Sequence, residues 1–236
     1  LAARLAEEKA FAPILSLAGR TRDPKPPPIP QRVGGFGGAA GLAAYLSAER
    51  IDCLIDATHP FAERMSANAE EAAAATGTPL LVFTRPPWTP SPGDRWTECT
   101  SAAAAAQALG SQPRRVFLTL GRLQLSAFEA VPQHDYLIRT IDPPEPAPAL
   151  PRSRLILARG PFSVEDETRL MRAEKIEILV TKNSGGEATR AKLDAARALG
   201  LDVILIRRPP APRATTVHSV DAAIAFLRAE HHRASP

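Results

Sequence analysis

Short apolar runs alternate along the chain with alanine-rich or amphipathic segments of helical periodicity. The apolar runs predict strands at residues 13–18, 51–55, 80–84, 96–99, 116–120, 136–140, 154–158, 177–181 and 202–206. The other segments predict helices at residues 1–10, 39–49, 62–76, 102–109, 163–174, 187–199 and 220–229. Strands that alternate with helices in this way form parallel sheets covered by helices on both faces. The predicted fold class is α/β, with two Rossmann-like lobes and a cleft between them.

One unit of this pattern occurs twice. Residues 51–87 and 176–210 each contain a strand, a polar loop, an alanine-rich helix, a second strand and an Arg-Pro-Pro sequence. Because the two polar loops differ, we expect two lobes of similar architecture and different chemistry. Segment 110–114 is the predicted boundary, which gives lobes at residues 1–111 and 112–236.

The composition narrows the class of partner. The 236 residues carry a formal charge of +4, with 23% charged and 44% apolar residues, as in an ordinary globular protein. The arginines are scattered, so no nucleic-acid surface is expected, whereas mild basicity suits an anionic small molecule. No apolar run is long enough to span a membrane, and no signal peptide is visible. Cys53 and Cys99 lack the spacing of a metal site or disulfide framework, so we expect a cytoplasmic protein without a bound metal.

The first candidate site follows the strand at 13–18. Ligands of open α/β sheets bind beyond the carboxyl ends of the strands, where Gly19, Arg20 and Thr21 lie. In a dinucleotide-binding lobe, an acidic residue at such a place favours NAD, and an arginine accommodates the 2′-phosphate of NADP. The alternative is a solvated basic turn.

The second candidate site is the loop that follows the strand at 51–55. Pro60 suits the first turn of a helix, so that Ala57, Thr58 and His59 would lie where free backbone N–H groups attract an anion. His59 could also supply a proton near neutral pH, with Asp56 beside it. The alternative is a helix cap or a packed histidine.

The third candidate site is the loop that follows the strand at 177–181. Ser184 and Glu187 have the spacing of a capping box, which is sufficient reason for that serine. No such structural reason accounts for Lys182 and Asn183 at a strand exit. Both therefore become candidates for binding a carboxylated substrate.

Glycines and cations extend this third site. Gly185 and Gly186 would let a ligand approach the helix N-terminus closely. Lys192 and Arg190 lie one or two helical turns further on and could assist.

A glycine-rich segment resembles a dinucleotide fingerprint. Residues 35–40 satisfy the pattern G-x-G-x-x-G/A, and Asp56 follows at roughly the spacing of an NAD site. The fingerprint requires a preceding strand, and residues 28–33 make a poor one because they contain prolines. Gly34 and Gly35 are therefore expected to let the backbone pack closely beside a cofactor or substrate rather than to form the literal fingerprint.

Several motifs occur together in a familiar order. They are Leu17-Ala18-Gly19-Arg20-Thr21, Gly34-Gly35-Phe36-Gly37-Gly38, Asp56-Ala57-Thr58-His59-Pro60-Phe61-Ala62, Arg85-Pro86-Pro87-Trp88 and Thr181-Lys182-Asn183-Ser184-Gly185-Gly186. With these motifs the chain resembles the precorrin-6A reductase family of cobalamin biosynthesis over essentially its whole length.

The resemblance implies an enzyme that uses NADPH to reduce one double bond of precorrin-6A, giving precorrin-6B. The implied cofactor-binding residues are Gly19, Arg20, Thr21, Gly34, Gly35, Ala57, Thr58, His59 and Pro60. The implied residues for the carboxylate-rich tetrapyrrole are Lys182, Asn183, Ser184, Gly185, Gly186 and Lys192. His59, Asp56 and Lys182 are the candidate catalytic residues, and Asp142 or solvent could supply the proton instead.

The resemblance also raises an expectation about the start of the chain. Members of that family begin with a strand and a glycine-rich turn just before the helix that opens this sequence. We therefore expect the gene product to extend upstream by about 10–15 residues, on typical element lengths.

Two other functions fit the same residues. A two-lobed tetrapyrrole synthase or lyase would need no redox cofactor, and a non-catalytic nucleotide sensor would bind without turnover. In each case we expect a monomer or homodimer whose partner is a small molecule.

Overall fold

The computed structural model describes residues 1–18 and 28–234. Its strands are β1 (Leu15–Leu17), β2 (Gln31–Val33), β3 (Leu54–Asp56), β4 (Leu80–Phe83), β5 (Arg95–Cys99), β6 (Arg115–Thr119), β7 (Asp135–Thr140), β8 (Ser153–Leu157), β9 (Ile178–Lys182), β10 (Asp202–Ile206) and β11 (Thr215–Val217). Its α-helices are α1 (Ala2–Leu5), α2 (Ala39–Ala48), α3 (Glu63–Thr76), α4 (Ala102–Ala108), α5 (Val164–Ala173), α6 (Ala191–Ala198) and α7 (Val220–Ala234). Two 3₁₀ segments cover Arg122–Ala130 and Glu187–Thr189.

The chain forms two compact units. The first contains Leu1–Arg85 and Pro210–Pro236, and the second contains Pro86–Pro209. Both crossings between units fall within the repeated Arg-Pro-Pro sequences. Proline breaks regular structure because it lacks a backbone donor, so it suits a point where the chain leaves one unit.

The second unit is built on a six-stranded sheet. The strand order is β5-β10-β9-β6-β7-β8, and every pairing is parallel. The central strands are buried on both faces, and their side chains form a core with helices α5 and α6. Fully buried members of that core include Phe117, Leu179, Leu193 and Leu205.

The first unit contains a three-stranded and a two-stranded parallel sheet. The orders are β11-β4-β3 and β1-β2. Helices α2 and α3 pack through Leu42, Leu46 and Ala72 on one side of the core. On the other side, Ile224 and Leu227 of α7 pack against Leu5. The predicted α/β class with parallel sheets flanked by helices is confirmed.

The structure departs from the predicted elements in places where local signals are weak. Strands β2 and β11 and the 3₁₀ segment 122–130 were not predicted, because each strand is short and flanked by prolines or polar residues. The predicted helix at 1–10 is helical only at Ala2–Leu5. The predicted helix at 187–199 begins as a 3₁₀ turn and becomes α-helical at Ala191.

The unit boundary also differs from the one placed between residues 111 and 112. Strand β5 precedes that point in sequence, yet it pairs with β10 in the second unit. Strand β11 follows it, yet it pairs with β4 in the first unit. Backbone pairing between residues far apart in sequence therefore divides the chain, and the loop at 110–114 lies inside the second unit.

Candidate functional site

A glycine turn joins β2 to α2 in the first unit. Gly34, Gly37 and Gly38 have φ angles of 121°, 82° and 103°, which side-chain-bearing residues rarely adopt. A Cβ atom placed on any of the three would meet no atom of the described residues within 4 Å, so the described part of the chain leaves space beside the turn. At Gly41 a Cβ would overlap the carbonyl oxygen of Phe36, so the turn packs tightly onto the start of α2. This strand–glycine turn–helix order is the context that a dinucleotide fingerprint requires, which corrects the expectation that residues 28–33 make too poor a strand for it.

Arg32 of β2 holds this turn in place. Its Nη1 donates to Ser16 Oγ at 2.8 Å and to the Gly34 carbonyl oxygen at 3.1 Å. Its Nη2 donates to the Gly35 carbonyl oxygen at 3.4 Å. The guanidinium carbon lies 3.9 Å from the ring centroid of Phe36, a cation–π contact. Sequence reasoning missed this residue because β2 itself was not predicted.

The loop after β3 is held by Asp56. This carboxylate is buried, and its Oδ1 accepts hydrogen bonds from Thr58 N at 3.0 Å and Thr58 Oγ1 at 2.7 Å. The arrangement is a local turn in which an aspartate replaces backbone partners. It leaves Ala57, Thr58 and His59 exposed at the carboxyl end of the strand. Asp56 thus holds the loop in place, and the side chains of Thr58 and His59 are exposed to solvent.

The start of α3 differs from the prediction. The helix begins at Glu63, and Pro60 lies before it in a turn closed by Ala62 N donating to the His59 carbonyl oxygen at 2.7 Å. The predicted cluster of free N–H groups at residues 57–59 is therefore not a helix N-terminus. His59 Nδ1 accepts a hydrogen bond from Phe61 N at 3.2 Å, so its other ring nitrogen carries the proton in the neutral form.

A second histidine, His218, lies at the same sheet edge. The carboxyl ends of β3, β4 and β11 point the same way because all their pairings are parallel. His218 directly follows β11, and its Nδ1 lies 2.8 Å from the carbonyl oxygen of Thr84, which directly follows β4. Sequence reasoning missed His218 because β11 was not predicted; a histidine just before a serine-capped helix was the available signal.

The loop after β9 in the second unit is held in place by hydrogen bonds with Trp88 and Arg208. Asn183 is 6% exposed, its Oδ1 accepts from Trp88 N at 2.8 Å, and its Nδ2 donates to Trp88 O at 3.0 Å. Trp88 Nε1 donates to the Gly186 carbonyl oxygen at 3.0 Å. Arg208 donates to the carbonyl oxygens of Asn183 and Ser184. Asn183 therefore has a structural reason that the sequence did not reveal.

The glycines and the serine of this loop have other roles than those predicted. A Cβ on Gly185 would overlap the Pro86 carbonyl oxygen and the Arg208 guanidinium, so this glycine permits close packing within the protein rather than ligand approach. Gly186 precedes the 3₁₀ turn at Glu187–Thr189, which has no side-chain cap. The predicted capping box of Ser184 and Glu187 is wrong because it requires a helix from Gly185, and α6 starts six residues later, at Ala191.

Lys182 remains a candidate binding residue. It ends β9, which lies inside the sheet between β10 and β6. Its Nζ lies 3.4 Å from Gln124 Oε1, in the 3₁₀ segment after β6. Burial lowers the pKa of Lys182, because the apolar surroundings disfavour the ammonium form. An anionic ligand at this edge would stabilise that ammonium.

Lys192 lines a small pocket in the second unit. The pocket is formed by Arg139, Phe162, Glu167, Ala188, Thr189, Ala191 and Lys192. Arg139 and Glu167 form a buried ion pair at 2.6 Å, and the Arg139 guanidinium carbon lies 3.9 Å from the Phe162 ring centroid. Lys192 Nζ donates to the Thr189 carbonyl oxygen at 3.1 Å.

Two buried polar atoms of this pocket lack partners among the described residues, namely Glu167 Oε2 and Thr189 Oγ1. Buried polar atoms without partners are costly, so both are suited to meeting a bound water or ligand. With two cations and one carboxylate, the pocket has a net charge that favours an anion.

The structure brings together part of the predicted sites. Gly34 and Gly35 lie in the glycine turn, residues 57–60 lie at a sheet edge of the first unit, Lys182 lies at the end of β9, and Lys192 lines the pocket of the second unit. Gly19, Arg20 and Thr21 lie outside the described residues. Within the described part, no three His, Cys, Asp or Glu side chains converge as metal ligands, and both cysteines are free thiols. Across residues 1–18 and 28–234, no helix has the length and hydropathy needed to cross a membrane.

Comparison with known proteins decides the family. A family model described as precorrin-6x reductase CbiJ/CobK matches residues 1–228. The chain belongs to this family. Precorrin-6x reductases are oxidoreductases of cobalamin biosynthesis, which confirms the resemblance noted in the sequence.

Individual relatives agree with the family. The precorrin-6A reductase of Rhodobacter capsulatus is 49% identical over 238 residues, covering 100% of this chain and 94% of that protein. The precorrin-6A reductase of Rhodococcus erythropolis is 52% identical, covering 96% of this chain and 92% of that protein. A solved structure of CobK precorrin-6A reductase matches with a TM-score of 0.90 at 48% identity, covering 97% of this chain and 91% of its own.

Proposed function

We propose that this precorrin-6x reductase family member reduces precorrin-6A to precorrin-6B with NADPH as the hydride donor. The observation that carries the proposal is the open glycine turn between β2 and α2, in a chain whose family consists of reductases. A reductase needs an electron source, and a strand–glycine turn–helix segment is a common way to bind a dinucleotide.

The residues of the first unit fit such a cofactor. Gly34, Gly37 and Gly38 have positive φ angles, and no atom of the described residues lies where their side chains would be. This lets phosphate groups approach backbone N–H groups closely. Thr58 and His59 add exposed polar groups at a sheet edge of the same unit. When bound, the reduced nicotinamide would supply the hydride.

The residues of the second unit fit a polycarboxylate. Lys182 presents a half-buried ammonium at the carboxyl end of β9, where ligands of parallel sheets bind. Lys192 and Arg139 add positive charge around the small pocket. In this proposal these cations orient the tetrapyrrole through its carboxylates. Asp56 acts indirectly by holding Thr58, while His59 and Lys182 remain candidates for holding the proton delivered to the macrocycle.

The relatives also suggest a cobalt-free substrate. Relatives near 50% identity are named precorrin-6A reductase, such as that of Sinorhizobium sp at 50%. A relative named cobalt-precorrin-6A reductase, from Priestia megaterium, is 30% identical over 71% of this chain. We therefore expect precorrin-6A to be preferred.

The test is NADPH oxidation, followed by absorbance, with precorrin-6A and cobalt-precorrin-6A side by side and NADH in parallel. We expect turnover that depends on the tetrapyrrole and is fastest with NADPH and precorrin-6A. Tetrapyrrole conversion without NADPH consumption would support a lyase or synthase instead. NADPH binding without turnover of either tetrapyrrole would support a sensor.

A further inference from the structure

His218 is held in one orientation by the strand beside it. Thr84 N donates to the Val217 carbonyl oxygen at 3.1 Å, which continues the β4–β11 ladder by one residue. His218 Nδ1 then lies 2.8 Å from the Thr84 carbonyl oxygen. The imidazole ring is thus held at the end of β4 by a contact that follows the last backbone hydrogen bond between β4 and β11.

This contact determines which ring nitrogen can accept a hydrogen bond. A carbonyl oxygen can only accept, so Nδ1 must carry the proton. In the neutral imidazole, Nε2 then holds the lone pair, and His218 is exposed. The opposite holds for His59, whose Nδ1 accepts from Phe61 N. The sheet edge therefore offers two histidines of opposite hydrogen-bonding character.

A buried hydroxyl beside His218 also needs a partner. Thr84 Oγ1 is buried and has no hydrogen-bond partner among the described residues. Leaving a buried hydroxyl unpaired is costly, so such atoms usually meet a water or a ligand. Val82 pairs with Asp56 and Val217 with Phe83, so Thr84 and His218 continue the β4–β11 ladder, and Thr58 lies two residues after the last paired residue of β3, at the same end of the sheet. Three polar side chains thus end three adjacent parallel strands.

We propose that His218 and Thr84 bind the dinucleotide, with His218 Nε2 accepting a hydrogen bond from a neutral donor group of that cofactor. This inference rests on the proposed NADPH dependence and adds two residues to the site. The donor is a ribose hydroxyl or the nicotinamide carboxamide, since both present the N–H or O–H that Nε2 requires. Thr84 Oγ1 gains its missing partner in the same complex.

The test uses two substitutions that separate the two ring nitrogens. His218→Asn retains a donor for the Thr84 carbonyl oxygen and removes the Nε2 acceptor. His218→Gln places an amide oxygen near the Nε2 position and loses the Nδ1 donor. We expect His218→Asn to raise the Kd of NADPH about three- to tenfold, as for one lost hydrogen bond, and His218→Gln to raise it less. His232→Asn, at the exposed far end of α7, is the matched control and leaves the Kd unchanged.

Thr84→Val gives a second, independent measurement. Valine has nearly the same shape and removes the unpaired hydroxyl, so the free protein should unfold at the same or a higher temperature. The Kd of NADPH should nevertheless rise severalfold. A purely structural threonine would give the reverse result.

Each result of these Kd measurements either supports or overturns the proposed role of His218. If His218→Gln weakens binding while His218→Asn does not, His218 only anchors β4 and the inference is wrong. Equal Kd values for wild type and both His218 variants also overturn it, while NADPH-dependent turnover in wild type leaves the proposed function standing. If wild type does not bind NADPH, both proposals fail. Reduced 3-acetylpyridine adenine dinucleotide phosphate lacks the carboxamide N–H and therefore identifies the donor group. If His218 contacts the carboxamide, wild type and His218→Asn should bind this analogue with equal Kd. If His218 contacts a ribose hydroxyl, His218→Asn should still bind it more weakly than wild type.

Discussion

The loops after β3 and β9 occupy equivalent places in the two repeated segments, yet they are built in opposite ways. The first is exposed and is held by hydrogen bonds between neighbours in sequence, chiefly from Thr58 to Asp56. The second is held by Trp88, which is distant in sequence, and by Arg208. A loop tied by local contacts keeps its polar groups available, whereas one tied by distant contacts uses them for structure.

Because of this difference, the candidate ligand-binding groups of the second unit lie outside the loop after β9. Asn183 and Gly185 are used for packing, so the groups that remain for a ligand are Lys182 in the strand itself and the pocket around Lys192. In the first unit the groups that the proposed function assigns to the ligand lie in the loops. Four predictions test this contrast, from the largest expected effect to the smallest.

Gly185→Ala should destabilise the second unit most. The new Cβ would overlap the Pro86 carbonyl oxygen, and φ is +66°, so strain and overpacking together cost about 3 kcal/mol or more. Gly200→Ala is the matched control, because its φ is +65° and a Cβ there would meet no atom of the described residues within 4 Å; it should cost about 1–2 kcal/mol. Both tryptophans, Trp88 and Trp96, lie in the second unit, so urea unfolding followed by tryptophan fluorescence measures it. Equal losses of unfolding free energy in the two variants would contradict the close packing of Gly185 against Pro86.

Asn183→Ala should come next. It leaves the buried Trp88 N–H and carbonyl groups without partners, which costs about 2–3 kcal/mol. The Kd of NADPH should not change. Gln107→Ala, an exposed amide in α4, is the control and should change stability by less than about 0.5 kcal/mol. An Asn183→Ala protein of normal stability but raised KM for precorrin-6A would restore Asn183 as a substrate ligand.

Lys182→Met should raise the KM for precorrin-6A about tenfold, as for loss of a charge-assisted hydrogen bond, with little effect on the Kd of NADPH. Because burial lowers the pKa of Lys182, its ammonium loses the proton at lower pH than an ordinary lysine. The KM of wild type should therefore rise as the pH climbs through that lowered pKa. In Lys182→Arg, which stays charged, this rise should vanish. A pH profile shared by all three proteins would exclude a role for Lys182.

The same shift has a consequence for stability. The unfolded chain binds the proton of Lys182 more tightly than the folded protein does, so this lysine makes stability increase with pH between the lowered pKa and the ordinary value. Lys182→Met should remove that slope in urea unfolding measured at several alkaline pH values.

Thr58→Val should have the smallest effect on stability, below about 1 kcal/mol, because it removes only the hydroxyl contacts with Asp56 Oδ1 at 2.7 Å and Ser66 Oγ at 3.4 Å in an exposed turn. The Kd of NADPH should still rise about two- to fivefold, as for one weakened hydrogen bond. Thr215→Val, exposed in β11 of the same unit, is the control for both measurements. A large loss of stability would show that the first loop is clamped like the second.

Much of the fold could be predicted from the pattern of apolar residues. The strands predicted at 116–120 and 202–206 are buried on both faces, and most of their residues are therefore apolar. Strands β2 and β11 are three residues long and partly exposed, and they exist because a neighbouring strand pairs with them. The site residues that depend on them, Arg32 and His218, were missed for that reason.

The sequence by itself determined the α/β class, the repeated segments, the family resemblance and the presence of a glycine-rich segment, because each depends on residues close together in the chain. Only the tertiary structure decided that the chain changes units at the two Arg-Pro-Pro sequences. It also decided that Asn183 and Gly185 serve packing and that His218 lies beside Thr84. Hydrogen bonds and close contacts between distant residues leave no periodic signal in a single sequence, so the roles they assign appear only once the chain is folded.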